Sequence, residues 1–222
     1  LRNQNADVYA AARKAEYRDD PFGNGPPFAA FSSYAKKEAI EQSQVPMFVW
    51  VSWFDAATVC GALSRFNTYS NPMRVVIGPW SHQGRFDANP FNSANAALDL
   101  TKEKRDQQSI QFFSAHLKDA DAKEARQISY YTMGENKWKT TDVWPPKGVE
   151  QRAWYLSPNN ALSPSAPADA EASDTYKVDF TATTGERNRW RTQAQGEDVV
   201  YADRAEQDKK LLTYTSSPLD RD

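Results

Sequence analysis

Asp55 and His82 are the residues of this 222-residue chain whose types and spacing point most directly to chemistry. Each follows an apolar segment: Asp55 comes shortly after residues 45–51, and His82 shortly after residues 73–79. A carboxylate that accepts a hydrogen bond from one imidazole nitrogen fixes the tautomer and stabilises the imidazolium that forms at the other. We therefore predict that Asp55 and His82 are the carboxylate and the base of a Ser-His-Asp triad.

The choice of base is narrow because the chain contains 2 histidines. His116 lies inside a predicted helix over residues 98–118, which favours a helix-end or packing role. His82 lies in a predicted loop after a strand, where open α/β sheets assemble their active sites. A structural, hydrogen-bonded His82 is the alternative.

Two buried strands must position this pair. Residues 45–51 and 73–79 are nearly continuous apolar runs, which is typical of strands buried on both faces of a parallel sheet. Residues 56–69, between them, have the composition of a helix. A strand-helix-strand unit of this length predicts parallel strands, whose carboxyl ends meet at one edge of the sheet. Asp55 and His82 are then expected to lie close together.

The sequence changes character after residue 126. Helices are predicted over 5–17 and 34–41, before the first strand. Beyond residue 126, short strand-like runs separated by Pro- and Ser-rich turns occur at 127–133, 151–156, 175–180 and 211–214, which favours an all-β sandwich or jelly roll. We place the boundary near residue 123 and predict an α/β plus all-β fold.

Composition excludes several classes of protein. The chain is 40% hydrophobic and 25% charged, with a net charge of −2, which is ordinary for a globular protein and argues against nucleic-acid or membrane partners held by bulk charge. No cluster of His, Cys and carboxylates has metal-ligand spacing, so neither metal nor cofactor is predicted.

We interpret the single cysteine, Cys60, as buried and inert. Cytoplasmic and secreted or periplasmic locations both stay open, as does a homo-oligomer.

The motifs around the pair resemble those of CocE/NonD hydrolases, the relatives of X-Pro dipeptidyl-peptidases, cocaine esterase and α-amino acid ester hydrolases. That family has a Gly-Trp-aromatic-Asp turn and then Gly-Pro-Trp-x-His. Here these read Trp53-Phe54-Asp55 and Gly78-Pro79-Trp80-Ser81-His82. The resemblance covers most of the chain from Val45 onward, including residues 116–118, 133–138, 143–146, 203–208 and 212–216.

The resemblance implies a serine hydrolase of three parts. Residues 1–44 would be the tail of a helical cap, and residues 45–122 the C-terminal part of an α/β-hydrolase domain. Residues 123–222 would be a jelly-roll domain that is incomplete here. Asp55 would be the triad acid and His82 the base. The substrate would be a small-molecule ester, an amide or an X-Pro peptide, with an ester as the family default.

The chain departs from the family pattern at three points. Ser52 replaces the usual glycine, and Ala57 stands where cocaine-esterase-like members have an aromatic residue, two places after the acid. No Gly-x-Ser-x-Gly nucleophile motif occurs. We therefore expect the serine to lie outside this chain and the chain alone to be inactive. The alternative is a non-catalytic binding or architectural module built on the jelly roll.

Tryptophans surround the predicted site. Trp53 is a candidate substrate-binding residue, with core packing as an equal alternative. Trp80 is interpreted as a packing residue. The tryptophans of the β half are expected to fill its core or the seam between the two parts, rather than to form a carbohydrate platform; they are Trp138, Trp144, Trp154 and Trp190.

Overall fold

The computed structural model describes residues 8–21, 23–55, 57–93, 96–118, 125–169, 171–188, 190 and 199–219. The described helices are α1 (Val8–Lys14), α2 (Lys37–Ser43), α3 (Thr58–Thr68), α4 (Lys102–Lys118) and α5 (Ala205–Asp208), with short 3-10 helices at Phe28–Phe31, Ser33–Lys36 and His82–Gly84. The described strands are β1 (Met47–Ser52), β2 (Met73–Gly78), β3 (Gln127–Thr132), β4 (Lys137–Thr141), β5 (Tyr155–Ser157) and β6 (Ala161–Ser163). None of the described helices is long and apolar enough to cross a membrane.

Among the described residues, β1 to β4 form one sheet in the order β1-β2-β3-β4. Strands β1 and β2 are parallel and in register from Met47 opposite Met73 to Ser52 opposite Gly78. The predicted parallel strand-helix-strand unit is therefore confirmed. Strand β3 is parallel to β2, β4 is antiparallel to β3, and β5 and β6 form a separate antiparallel pair.

The core lies on β2 and its neighbours. Met73, Val75 and Ile77 are fully buried, and Ile128 of β3 packs in the same cluster. Helix α3 covers this cluster with Phe66 and other apolar side chains one helical turn apart. Burial on both faces explains why β2 reads as a continuous apolar run rather than an alternating one.

Strand β3 differs from its predicted place. The sequence assigned residues 127–133 to the β half, but β3 extends the parallel sheet instead, with Ile128 opposite Val75. The alternating pattern of this segment is compatible with either sheet. The full burial of Ile128 against β2 favours the parallel one. The boundary predicted near residue 123 falls in residues 119–124, outside the described residues.

The C-terminal half has less regular structure than its pattern predicts. Of the four predicted strand runs, 127–133 forms β3, and 151–156 overlaps β5. Residues 175–180 and 211–214 form no strand in the described part of the chain, although Thr215 makes one bridge to Ala161. Phe180 is 94% exposed, so this run lacks the packing that stabilises strands. The described fold is a mixed α/β sheet with a separate antiparallel pair.

The interpretation of Cys60 as buried is wrong. Cys60 is exposed on α3. The buried face of this helix carries Ala62 and Phe66, and Cys60 lies off that face. A single apolar residue in a helix cannot be assigned to the inner face without the positions of its neighbours.

Arg126 ties the start of β3 to the end of α3. Its Nη1 donates hydrogen bonds to the carbonyls of Tyr69 (2.7 Å) and Asn71 (2.6 Å), and Nη2 donates to the carbonyl of Phe66. The guanidinium carbon also lies 4.5 Å from the centre of the Phe66 ring. One side chain thus provides hydrogen-bond donors to carbonyl groups at the end of α3 and in the loop that leads into β2.

Replacing Arg126 by methionine should lower the free energy of unfolding by about 2 kcal/mol, because partly buried carbonyls lose a charged donor. Urea unfolding followed by tryptophan fluorescence measures this change. Arg152, which is exposed, provides the matched control, and its replacement by methionine should leave stability within about 0.5 kcal/mol. Equal losses in the two variants would contradict the anchoring role.

Candidate active site

Asp55 lies on a tight turn between β1 and α3. The backbone N–H of Trp53 still donates to the carbonyl of Gly78 (3.0 Å), and the N–H of Asp55 donates to the carbonyl of Ser52 (3.2 Å). The hydroxyl of Thr58 donates to the carbonyl of Asp55 at 3.1 Å. These bonds hold the backbone of Asp55 directly beyond the end of the strand.

His82 follows β2 on a loop that folds back on itself. The N–H of Ser81 donates to the carbonyl of Phe86 at 2.9 Å, and the N–H of Ala88 donates to the carbonyl of Pro79 at 2.7 Å. His82 begins a 3-10 turn that ends at Gly84. The loop therefore presents His82 at the same sheet edge as Asp55.

The structure brings Asp55 and His82 together. The Nδ1 atom of His82 lies 2.9 Å from Oδ1 of Asp55. The side chain of His82 is 28% exposed and that of Asp55 is 13% exposed, so the contact is partly shielded from water. A carboxylate can only accept, so Nδ1 carries the proton in this bond, and in the neutral imidazole Nε2 then has the free lone pair. This arrangement can take a proton from a hydroxyl at Nε2 and stabilise the resulting cation.

His116 lies elsewhere, near the end of α4. Its ring stacks edge-on against Phe112, with ring centres 4.5 Å apart. This contact agrees with the predicted packing role.

Ser52 and Gly78 join the two strand ends beneath the pair. The buried hydroxyl of Ser52 donates to the carbonyl of Trp80 and accepts from the N–H of Phe54 at 3.2 Å. A Cβ added to Gly78 would lie 2.2 Å from the ring of Trp80, so only glycine leaves space for this indole. The serine that departs from the family glycine thus links the turn of Asp55 to the loop of His82.

Trp53 faces the interior of the molecule. Its Nε1 donates to the carbonyl of Tyr131 at 2.8 Å, and its ring centre lies 6.2 Å from that of Trp144. These contacts are those of a packing residue, and contact with substrate stays a prediction.

The other tryptophans divide into two groups. Trp80 is 4% exposed and lies between Trp50 and Trp138, which confirms its packing role. Trp138 packs against Trp80 and Trp144 packs against Trp53, so both contact the first part of the chain. Trp154 and Trp190 are instead 42% and 58% exposed.

A cavity of about 690 Å³ opens beside the pair. Besides Asp55 and His82, its lining includes three basic side chains, Arg85, Lys102 and Arg105, and the carboxylate of Asp106. Lys102 and Asp106 form an ion pair across one turn of α4. In the described part of the chain, no three His, Cys, Asp or Glu side chains are grouped to hold a metal ion.

Two residues at this edge were not singled out by the sequence. Arg105 on α4 contacts the His82 loop, and Tyr201 reaches the site from the C-terminal half. The hydroxyl of Tyr201 donates to the carbonyl of Ala88, and its ring packs edge-on against Phe54 with centres 5.8 Å apart. An arginine in a polar helix and a tyrosine in a loop carry no local signal, so only the folded chain reveals these contacts.

Comparison with known proteins identifies the relatives of the chain. Residues 120–222 match the family described as the X-Pro dipeptidyl-peptidase C-terminal non-catalytic domain. The chain is 40% identical over 185 residues to a protein of Mycobacterium bovis named "putative serine esterase", and equally so to a protein of Mycobacterium tuberculosis with the same designation. Each alignment covers 82% of this chain and 29% of the relative, so the chain spans less than a third of their length.

These matches confirm the resemblance read from the motifs. The chain is a relative of the CocE/NonD and X-Pro dipeptidyl-peptidase group. The names of its relatives indicate proteins of the serine esterase or peptidase type.

Proposed function

We propose that this chain supplies the acid and the base of a serine hydrolase, and that the serine lies in a part of the protein outside these 222 residues. The observation that supports this proposal is the 2.9 Å contact between His82 Nδ1 and Asp55 Oδ1 at the ends of adjacent parallel strands. The order acid then base along the chain is that of α/β-hydrolases. The relatives named as serine esterases agree with it.

In the proposed reaction, His82 Nε2 takes the proton of the serine hydroxyl as its oxygen attacks the carbonyl carbon of an ester. Asp55 holds the imidazole in place and stabilises the imidazolium. The imidazolium then gives its proton to the leaving alcohol as the ester C–O bond breaks. A water molecule, deprotonated by the same nitrogen, then attacks the acyl carbon, and the imidazolium returns the proton to the serine oxygen as its bond to the acyl group breaks and the acid leaves. An X-Pro amide would follow the same steps with an amine as leaving group.

The domain division proposed with this function has three parts. Residues 1–44 belong to a cap, residues 45–122 to the α/β-hydrolase core, and residues 123–222 to a jelly roll, whose first strand, β3, also pairs with β2 of the core. The parallel pair of β1 and β2 supports the second part, and the family match from residue 120 supports the start of the third.

A non-catalytic module is the second candidate, because the matched family is described as non-catalytic and the chain lacks a nucleophile motif. In this case the chain would bind or scaffold through its C-terminal half. The contact between Asp55 and His82 would then be structural.

Fluorophosphonate labelling of the natural full-length protein separates the two candidates. A hydrolase should be labelled at one serine and should hydrolyse a p-nitrophenyl ester. The 222-residue chain alone should show neither reaction, since loss of the serine removes about 10⁶-fold of turnover in a comparable triad. Absence of labelling in the full-length protein would favour the module, and turnover by the chain alone would contradict a serine located elsewhere.

A further inference from the structure

Arg105 lies against the loop that carries His82. Its Nη2 donates to the carbonyl of Gly84 at 2.8 Å, and its Nη1 donates to the carbonyl of Leu100 at 3.0 Å. The guanidinium carbon lies 5.2 Å from the centre of the Trp80 ring, within the range of a cation–π contact. One side chain on α4 thus contacts the residues on both sides of His82.

The turn that Arg105 contacts has an unfavourable backbone. Gln83 and Gly84 have φ values of 62° and 64°, in the left-handed region. This conformation costs a residue with a side chain roughly 1 kcal/mol or more, so surrounding contacts must hold it. A Cβ on Gly84 would lie 2.8 Å from the guanidinium carbon, which shows how closely Arg105 approaches this backbone.

The side chain of Arg105 is partly buried. Burial lowers the pKa of its guanidinium from the usual value, while Asp106 and Glu103 raise it. An arginine remains charged in proteins, and the carbonyls and the indole that it contacts provide this partly buried charge with hydrogen-bond acceptors and a ring face. Every one of these partners belongs to the His82 loop or to the segment that leads into α4.

We propose that Arg105 is a positioning residue for His82: by holding the Gly84 carbonyl and the Trp80 ring, it fixes the turn so that Nδ1 of His82 faces Asp55. The consequence for hydrolysis rests on the proposed function, whereas the orientation of the imidazole does not. A lysine at this position has a flexible ammonium in place of the planar fork and cannot make the same pair of directed bonds.

The orientation can be measured on the 222-residue chain itself, by ¹⁵N NMR of the imidazole rings. His116→Gln assigns the signals, since the chain has 2 histidines. With Arg105 in place, His82 should hold its proton on Nδ1. Arg105→Lys and Arg105→Gln should shift the tautomer population toward Nε2–H in the folded protein. Lys104→Met, a change of charge at the exposed neighbouring position, should leave His82 unchanged.

An unchanged His82 tautomer in folded Arg105 variants would overturn the proposal. Loss of the native near-ultraviolet circular dichroism in both variants would also overturn it, because Arg105 would then support the whole fold. If the full-length protein is a hydrolase, Arg105→Lys should lower kcat about 10- to 100-fold at an unchanged KM. Absence of any hydrolase activity would refute the proposed function and leave the tautomer result intact.

Discussion

Asp55→Asn should lower ester hydrolysis by the full-length protein about 10⁴-fold, the loss known for the equivalent change in a serine protease triad. Asparagine keeps the size of the side chain but can present an N–H to the imidazole. Nδ1 of His82 then becomes the acceptor, and the proton moves to the nitrogen that must receive the serine proton. Initial rates with a p-nitrophenyl ester measure kcat, which should fall while KM changes little.

Asp142→Asn is the control for this experiment. Asp142 does not line the cavity, and its carboxylate pairs with Lys147 at 3.7 Å and is 74% exposed. Its replacement should change the rate by less than about threefold, as expected of a surface ion pair. A rate near the wild-type value in Asp55→Asn would show that the contact with His82 is structural.

Gly78→Ala should destabilise the chain by about 3 kcal/mol, because the new methyl group overlaps the buried ring of Trp80. The added Cβ would meet three ring atoms at 2.2 to 2.3 Å. The strand end or the indole must move, and either movement displaces the loop of His82. Urea unfolding gives the change in stability, and the ¹⁵N spectrum of His82 reports the displacement.

Gly61→Ala is the matched control: it adds the same methyl group, but it should raise the stability of the chain rather than lower it. Gly61 lies inside α3, and an added Cβ would have no neighbouring atom within 4 Å. Alanine should therefore stabilise the helix by about 0.5 to 1 kcal/mol. A stability of Gly78→Ala within about 0.5 kcal/mol of the wild type would mean that the packing of Trp80 is readily adjusted.

The part of the site that could be predicted depends on short-range rules. Apolar runs of strand length identified β1 and β2, and the length between them required a parallel pair. The approach of Asp55 to His82 then follows, since both residues lie just past the carboxyl ends of neighbouring strands. Each of these inferences uses residues close together in the sequence.

The parts that could not be predicted depend on contacts between distant segments. The pairing of β3 with β2 is decided by Ile128 and Arg126, which contact residues more than 50 positions earlier. The contact of Arg105 with Gly84 spans 21 positions, and that of Tyr201 with Ala88 spans 113. The periodicity of apolar residues indicates which side chains of a segment are buried, but it does not identify the other segment that packs against them.

Strand β3 bears on how relatives of this chain can be recombined. The family match begins at residue 120, yet the strand that follows lies beside β2, and Ile128 and Val75 are both fully buried. A crossover between two homologues at that boundary would pack the residue at position 128 of one parent against the β2 side chains of the other. Exchange after residue 141, where β4 ends, would transfer β5, β6 and the later segments. All four strands of the sheet that carries Asp55 and His82 would then come from one parent.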